Sequence, residues 1–238
     1  MKKITASLIA LFCCSMLGFA QNNQLRIALV FGQTPITEDT WFVSANGDSL
    51  QFDNIRFYLS AIQFESENGE IINDVKRAHL IDVFEPSTLI IPFQNIGDKR
   101  LKKIRFNIGI DSTTSVAGAL GGDLDPTKGM YWAWQSGYIN MKIEGRSPQS
   151  PNRKHVFQFH IGGYMSPYYA MRSIEMPINN RTNNKASLRG TKQEGAVLNV
   201  DVSKFFENIN ISNQNSIMIP CKESVQLADL CVQLFSIR

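Results

Sequence analysis

Short runs in which apolar and polar residues alternate recur along nearly the whole chain, each closed by a turn signal, and segments with helical spacing are scarce. A period of two puts successive side chains on opposite faces of an extended backbone, so each run can bury one face and wet the other. The candidate strands are 25–31, 55–64, 79–84, 102–110, 138–144, 155–161, 171–176 and 197–202. Asn46-Gly47-Asp48, Asn68-Gly69 and the segments 145–151 and 179–184 supply turns between them. Such strands around one continuous core imply an all-β chain, a two-sheet antiparallel β-sandwich whose loops collect at the sheet ends. Residues 202–208 read as a helical turn with Ser203 as its cap, and 223–237 fits either a helix or a strand. There is no internal repeat, and the polar tract 179–192 reads as an exposed loop.

The first twenty residues differ from the rest. Lys2 and Lys3 precede an apolar run from Ile4 to Leu17, and Gly18-Phe19-Ala20 places small residues where signal peptidase reads them. Residues 1–20 are therefore expected to be a secretory signal peptide cleaved before Gln21, leaving 21–238 as a single β-sandwich domain, periplasmic or secreted. Cys13 and Cys14 lie inside this leader, but Phe12 stands where a lipoprotein signal needs a small residue. No later apolar run approaches the roughly 20 residues of a transmembrane helix. Of 24 Lys and Arg, Lys2 and Lys3 fall in the leader, so the exported part nearly balances its 21 Asp and Glu. Without a basic block to neutralise a row of phosphates, nucleic acid is not an expected partner. Cys221 and Cys231 remain in an oxidising compartment, where a disulfide is favoured over a thiolate metal pair. An unbroken helix of that length would hold their Cα atoms about 15 Å apart, so pairing requires the segment between them to turn.

The stretch between Ile110 and Tyr138 has no strand pattern yet holds Met130, Trp132, Trp134, Gln135, Ser136 and several glycines, which suggests an ordered aromatic loop laid across one end or face of the sandwich. The mature chain has no His-x-His, His-Glu-x-x-His, Cys-x-x-Cys or Gly-x-Ser-x-Gly, which leaves zinc hydrolysis and serine hydrolysis without support. His79 and His160 both fall at strand ends. Two imidazoles with sulfur or aromatic neighbours, such as Met130, Met165 and the Trp132/Trp134 pair, suit copper; the competing reading is that each imidazole is simply hydrogen bonded and partly buried. His155 follows a Pro-rich turn and is expected in solvent. Asp111, Asp123 and Asp125 lack calcium-loop spacing and read as caps. Trp132 and Trp134 could stack on a sugar or pack the loop.

Phe57-Tyr58-Leu59-Ser60, His79-Leu80-Ile81-Asp82, Ile104 to Ser112, the run Asp-Pro-x-x-Gly-Met-Tyr-Trp-x-Trp-Gln-Ser-Gly-Tyr from Asp125 to Tyr138, Glu144-Gly145 and Phe159-His160-Ile161-Gly162-Gly163 occur in this order. Together they resemble the methanobactin-associated periplasmic copper-binding proteins, the MbnP-like family. The resemblance runs from about Leu25 to Val202 and is most specific over 129–138. It implies an exported β-rich domain that binds copper, Cu(I) in the first instance, beside a di-haem cytochrome c peroxidase-like enzyme that in some members oxidises a Trp to kynurenine. It makes His79 and His160 the candidate ligands, Trp132 or Trp134 the modified residue, and Gln135, Ser136 and Tyr138 the groups that orient them. Cys221 and Cys231 have no counterpart in a cysteine framework that some members carry.

The expected function is copper acquisition, storage or handover without turnover. The alternative is a periplasmic or cell-surface recognition domain that binds carbohydrate or a protein partner through the Trp-rich loop. An enzyme with a copper or carboxylate centre is a third reading.

Overall fold

A computed structural model describes residues 23–93, 99–134, 137–178 and 196–237. The leader at 1–20, the tract at 179–192, and Gln135 and Ser136 lie outside the described residues. Among the described residues the strands are β1 (Asn23–Phe31), β2 (Thr34–Pro35), β3 (Trp41–Val43), β4 (Ser49–Ser66), β5 (Ile71–Asn73), β6 (Ala78–Asp82), β7 (Ile90–Phe93), β8 (Leu101–Ile108), β9 (Tyr131–Trp132), β10 (Gly137–Arg146), β11 (Val156–Gly162), β12 (Arg172–Pro177), β13 (Val197–Asp201), β14 (Ser216–Ile217) and β15 (Phe235–Ile237). Two α-helices, α1 (Ser112–Val116) and α2 (Lys222–Val232), and several 3-10 turns complete them. No described helix is long and apolar enough to cross a membrane.

The strands form two sheets. The smaller runs β15-β13-β1-β2 with β7 also on β1; the larger runs β12-β8-β4-β10-β11-β14, with β3, β5 and β6 on β4 and β9 on β10. The all-β, two-sheet expectation holds, but the pairing is mixed rather than wholly antiparallel. β1 pairs β13 in parallel, and β11 pairs β14 in parallel. A strand from the start of the chain and one from near its end lie side by side, a long-range pairing that no local turn signal announces.

β4 is the backbone of the larger sheet. Its buried core residues are Leu50 and Phe52, then Ile55, Phe57 and Leu59, then Ile62 and Phe64, so the phase of the alternation slips twice. Each slip coincides with an irregularity: the register with β10 shifts between Phe52 and Asn54, and the register with β8 shifts around Ala61, whose φ is 49°. One extra residue at a bulge resets which side chains face inward, keeping a long strand's apolar face on the core as it twists. Between the sheets, Phe31, Phe52, Phe157, Phe159, Phe205 and Phe206 form one aromatic cluster, with Phe205 and Phe206 edge-on at 5.2 Å.

The C-terminal segment resolves into both of its readings, a helix followed by a strand. Cys221 caps α2, its Sγ accepting from Ser224 N, and Cys231 lies inside the same helix, fully buried with its Sγ 3.4 Å from Met141 Sδ. Both thiols are free. The expected disulfide is thereby corrected: an unbroken helix separates the two Cα atoms by about 15 Å, and a bridge tolerates no more than about 7 Å. The turn at 202–208 is present as a 3-10 helix, Val202–Glu207, but Asp201 rather than Ser203 is its cap.

Candidate metal centre

The face of the larger sheet that turns away from the phenylalanine core carries a second, smaller apolar cluster. Tyr58, Ala78, Leu80, Tyr138 and Ile139 from the strands are covered by Ile110, Leu124, Met130 and Trp132 from the loop between β8 and β10. The loop's described residues are laid across a sheet face, as the composition suggested. Its anchors are polar. Tyr58 Oη donates to Asp123 O; Tyr138 Oη accepts from Leu120 N and donates toward Gly118 O and Leu124 O. Asp123 accepts from Leu80 N, Lys76 and Lys128, and Arg56 and Lys142 donate to the carbonyls of Lys128 and Gly129. Asp111 and Asp125 cap the turns that open at Ser112 and Pro126, as expected of them.

Beside the apolar cluster runs a half-buried polar strip. Asp82 lies opposite Arg56, Arg56 opposite Lys142 and Lys142 opposite His160, across β6, β4, β10 and β11. Directly opposed residues share a face, so all four point to the loop side. Two residues along, Glu144 lies opposite both Asn54 and Gln158. His160 is 6% exposed, and its Nε2 is 2.7 Å from Glu144 Oε1. Asn54 Nδ2 donates to Glu144 Oε2 at 3.0 Å, and Gln158 Nε2 reaches Oε1 at 3.4 Å. Burial works to raise the Glu144 carboxyl, but the His160 hydrogen bond, the Lys142 charge and the Asn54 amide outweigh it and bring its pKa to about 2. Burial pulls the Lys142 ammonium below its ordinary value, partly offset by Glu144.

Trp132 packs over β11 close by. A Cβ added to Gly162 would stand 2.7 Å from Trp132 Cζ3 and 2.8 Å from Cη2. Gly162 is two residues beyond His160, hence on the same face and about 7 Å along the strand. Met130 is completely buried, whereas Trp134 is 64% exposed, its ring 6.0 Å from that of Trp132. Tyr138, expected to orient a ligand, is instead a buried loop anchor whose hydroxyl burial pushes upward in pKa.

The structure does not bring His79 to His160. His79 lies opposite Leu59, which faces the phenylalanine core, and its Nε2 is 2.5 Å from Asp74 Oδ2. The two imidazoles therefore leave opposite faces of the sheet, from strands three steps apart, or about 14 Å. The expected two-imidazole arrangement is not formed, because His79 shares the parity of Ile81 and His160 that of Lys142. Among the described residues no group of three or more His, Cys, Asp or Glu is placed to hold a metal ion. His155 sits in a turn, its Nδ1 3.0 Å from Ser150 O. A cavity of about 210 Å³ at the far end of β4 and β10 is lined by Glu38, Asp39, Asp53 and Arg146 and offers neither imidazole nor sulfur.

Sequence reasoning missed Arg56, Lys142 and Asn54 as neighbours of His160. The signal was there in Lys142 and Glu144, two charges at a spacing of two on one strand, which aims both at the same face.

A family model, that of MbnP, matches residues 20–219. Among solved structures the fold is similar to MbnP from Methylosinus trichosporium, with a TM-score of 0.62 at 12% identity, covering 91% of this chain and 98% of that one. At that identity the likeness is one of fold. Curated protein sequences give no match. The extent of the family match, over a fold of the same architecture, makes this chain a member of the MbnP family.

Proposed function

We propose that this protein is an exported copper-binding protein, taking up, storing or handing over the ion without turnover, with its site at His160 beneath the Trp-bearing loop. The observation that carries this reading is His160 itself: a buried imidazole two residues from the Gly162 that Trp132 covers, with one nitrogen engaged by Glu144 and no hydrogen bond at Nδ1 among the described residues. Copper accepts an imidazole nitrogen together with soft or aromatic neighbours, and Met130 and Trp132 are the groups of that kind in the covering loop. His79, held by Asp74 on the other face, takes no part. Export rests on the leader at 1–20. Trp134 is the indole a partner enzyme could reach, so it is the residue we assign to a di-haem peroxidase-type oxidation to kynurenine.

Titration with Cu(I) against a competing chelator tests the site. His160→Ala is expected to lose stoichiometric binding and His79→Ala to retain it; unchanged binding by His160→Ala rejects the assignment. On protein from its native compartment, a kynurenine adds about 4 Da to the Trp132/Trp134 peptide, since the indole gains two oxygens and loses one carbonyl.

The recognition reading draws on the same loop. Trp134 stands out into solvent, as do Met165 and Ile219. Glycan binding that ignores copper would favour it.

A further inference from the structure

We infer that Asn68 is a self-modification site: in the folded protein it deamidates through a succinimide formed with Gly69, while Asn46, in a matching Asn-Gly turn, is held back from the same chemistry. This stands apart from the copper reading. The two tips are Ser44-Ala45-Asn46-Gly47-Asp48, between β3 and β4, and Ser66-Glu67-Asn68-Gly69-Glu70, between β4 and β5. In each, the glycine N–H donates to the serine carbonyl at 3.0 Å and the N–H of the following residue donates to the serine Oγ at 3.1 Å. Each glycine has a positive φ, 82° at Gly47 and 85° at Gly69, and both asparagines are exposed. The attacking backbone nitrogen therefore has the same setting twice, and the difference lies in the carboxamide.

The two carboxamides are bonded by opposite ends. Asn68 uses its oxygen, which accepts from Ser66 Oγ and from Glu70 N at 3.3 Å, and its NH2 has no partner among the described residues. Asn46 uses its NH2, which donates to Phe206 O, Glu207 O and Ile209 O at 3.2, 3.2 and 2.9 Å. A backbone N–H only donates and a carbonyl only accepts, so neither amide can be turned round. Beside Asn46, Asp48 Oδ2 accepts from Ile211 N, and the first tip is a clasp on the 206–211 segment.

Deamidation begins when the Gly69 nitrogen, its proton taken by hydroxide, bonds to Asn68 Cγ. Negative charge gathers on Oδ1, to which the Ser66 hydroxyl and the Glu70 N–H already donate. The Cγ–Nδ2 bond then breaks, ammonia leaves with a proton from water, and a further water opens the ring to aspartate or isoaspartate; the net change is one water consumed and one ammonia released. The aspartate product keeps both hydrogen bonds of the turn, since only the unbonded NH2 has become oxygen. At Asn46 the same change would set a carboxylate against three carbonyl oxygens, and any swing of the carboxamide toward Gly47 gives up the clasp.

Peptide mapping of the folded protein held in mildly alkaline buffer follows both sites, each conversion adding about 1 Da. Asn68 should convert roughly tenfold faster than Asn46 or more, the gap reflecting the hydrogen bonds of the clasp, and the two rates should draw together in urea. Comparable rates in the folded protein, or an Asn68 that stays intact while the unfolded chain loses both amides, overturn the inference. Asn68→Asp should keep the wild-type thermal midpoint, whereas Asn46→Asp should lower it or fail to fold; equal losses or the reverse order overturn it as well. The rate comparison uses the wild-type chain and stands whether or not Asn46→Asp folds.

Discussion

Asp123 shows how a single carboxylate ties the loop to the sheet. It accepts from the backbone N–H of Leu80 on β6 and from Lys76 and Lys128, while its own carbonyl takes the Tyr58 hydroxyl. Burial pushes its pKa up, but the hydrogen bonds from Lys76, Lys128 and Leu80 pull harder, and the net shift is downward. A carboxyl whose folded pKa lies below its unfolded value, about 3.9, stabilises the fold above that pH and ceases to do so as the pH falls through the folded value. Asp123→Asn should therefore cost roughly 1–3 kcal/mol near neutrality, and the two proteins' denaturation midpoints should converge in acid below the carboxylate range. A constant gap across that range would show that Asp123 is not the loop's ionised anchor. Gly162 is the apolar counterpart: with Trp132 ring atoms under 3 Å from where a Cβ would stand, only glycine admits the indole over β11.

Helix α2 decides the fate of both thiols. Glu223 sits in the first turn, where a negative charge suits the helix dipole; Leu227, Ala228 and Cys231 turn inward, and Ser224 Oγ bonds the free backbone edge of Gly162 on β11. A reductant should leave the thermal midpoint unchanged, and thiol titration should give two reactive groups in the unfolded mature chain, with Cys231 silent in the folded one because burial removes access and raises its pKa. A drop in the midpoint on reduction would mean that a disulfide forms after all. The helix was only half legible, since its inward residues have helical spacing but its tail, Phe235–Ile237, pairs as β15 with β13. Local pattern supports both, and the pairing partner lies outside the segment. By contrast, the longer strands were legible to within a few residues, apart from the start of β4, because alternation in runs such as 55–64 is a local consequence of burying one face; the short β2, β3, β5, β7, β9 and β14 carry too few residues to show a period.

At the scale of the whole molecule the protein has two unequal apolar bodies on either side of one sheet: the phenylalanine core toward the second sheet, and the thin layer of Met130, Trp132 and Tyr138 under the loop. The thin layer leans on polar anchors, so it should open without the core. In Tyr138→Phe the loop loses the hydroxyl that accepts from Leu120 N and donates toward Gly118 and Leu124; amide exchange over 118–124 should quicken by an amount equivalent to about 1–3 kcal/mol, with the central amides of β4 and β10 unaffected. Exchange that rises equally in the core strands would show that loop and core open as one unit. The same two-sided sheet explains why the candidate site was read only in part. Sequence alone determined the longer strands and the aromatic loop, and it singled out His160 and the tryptophans as candidates, since these follow from composition, period and motif within one segment. Only the tertiary structure decided that His79 leaves by the other face, that Glu144 and Asn54 stand beside His160, and that the first strand pairs with β13. Parity is set within a strand, but register is set between strands, and a shift of one residue carries a side chain through the sheet to the opposite side.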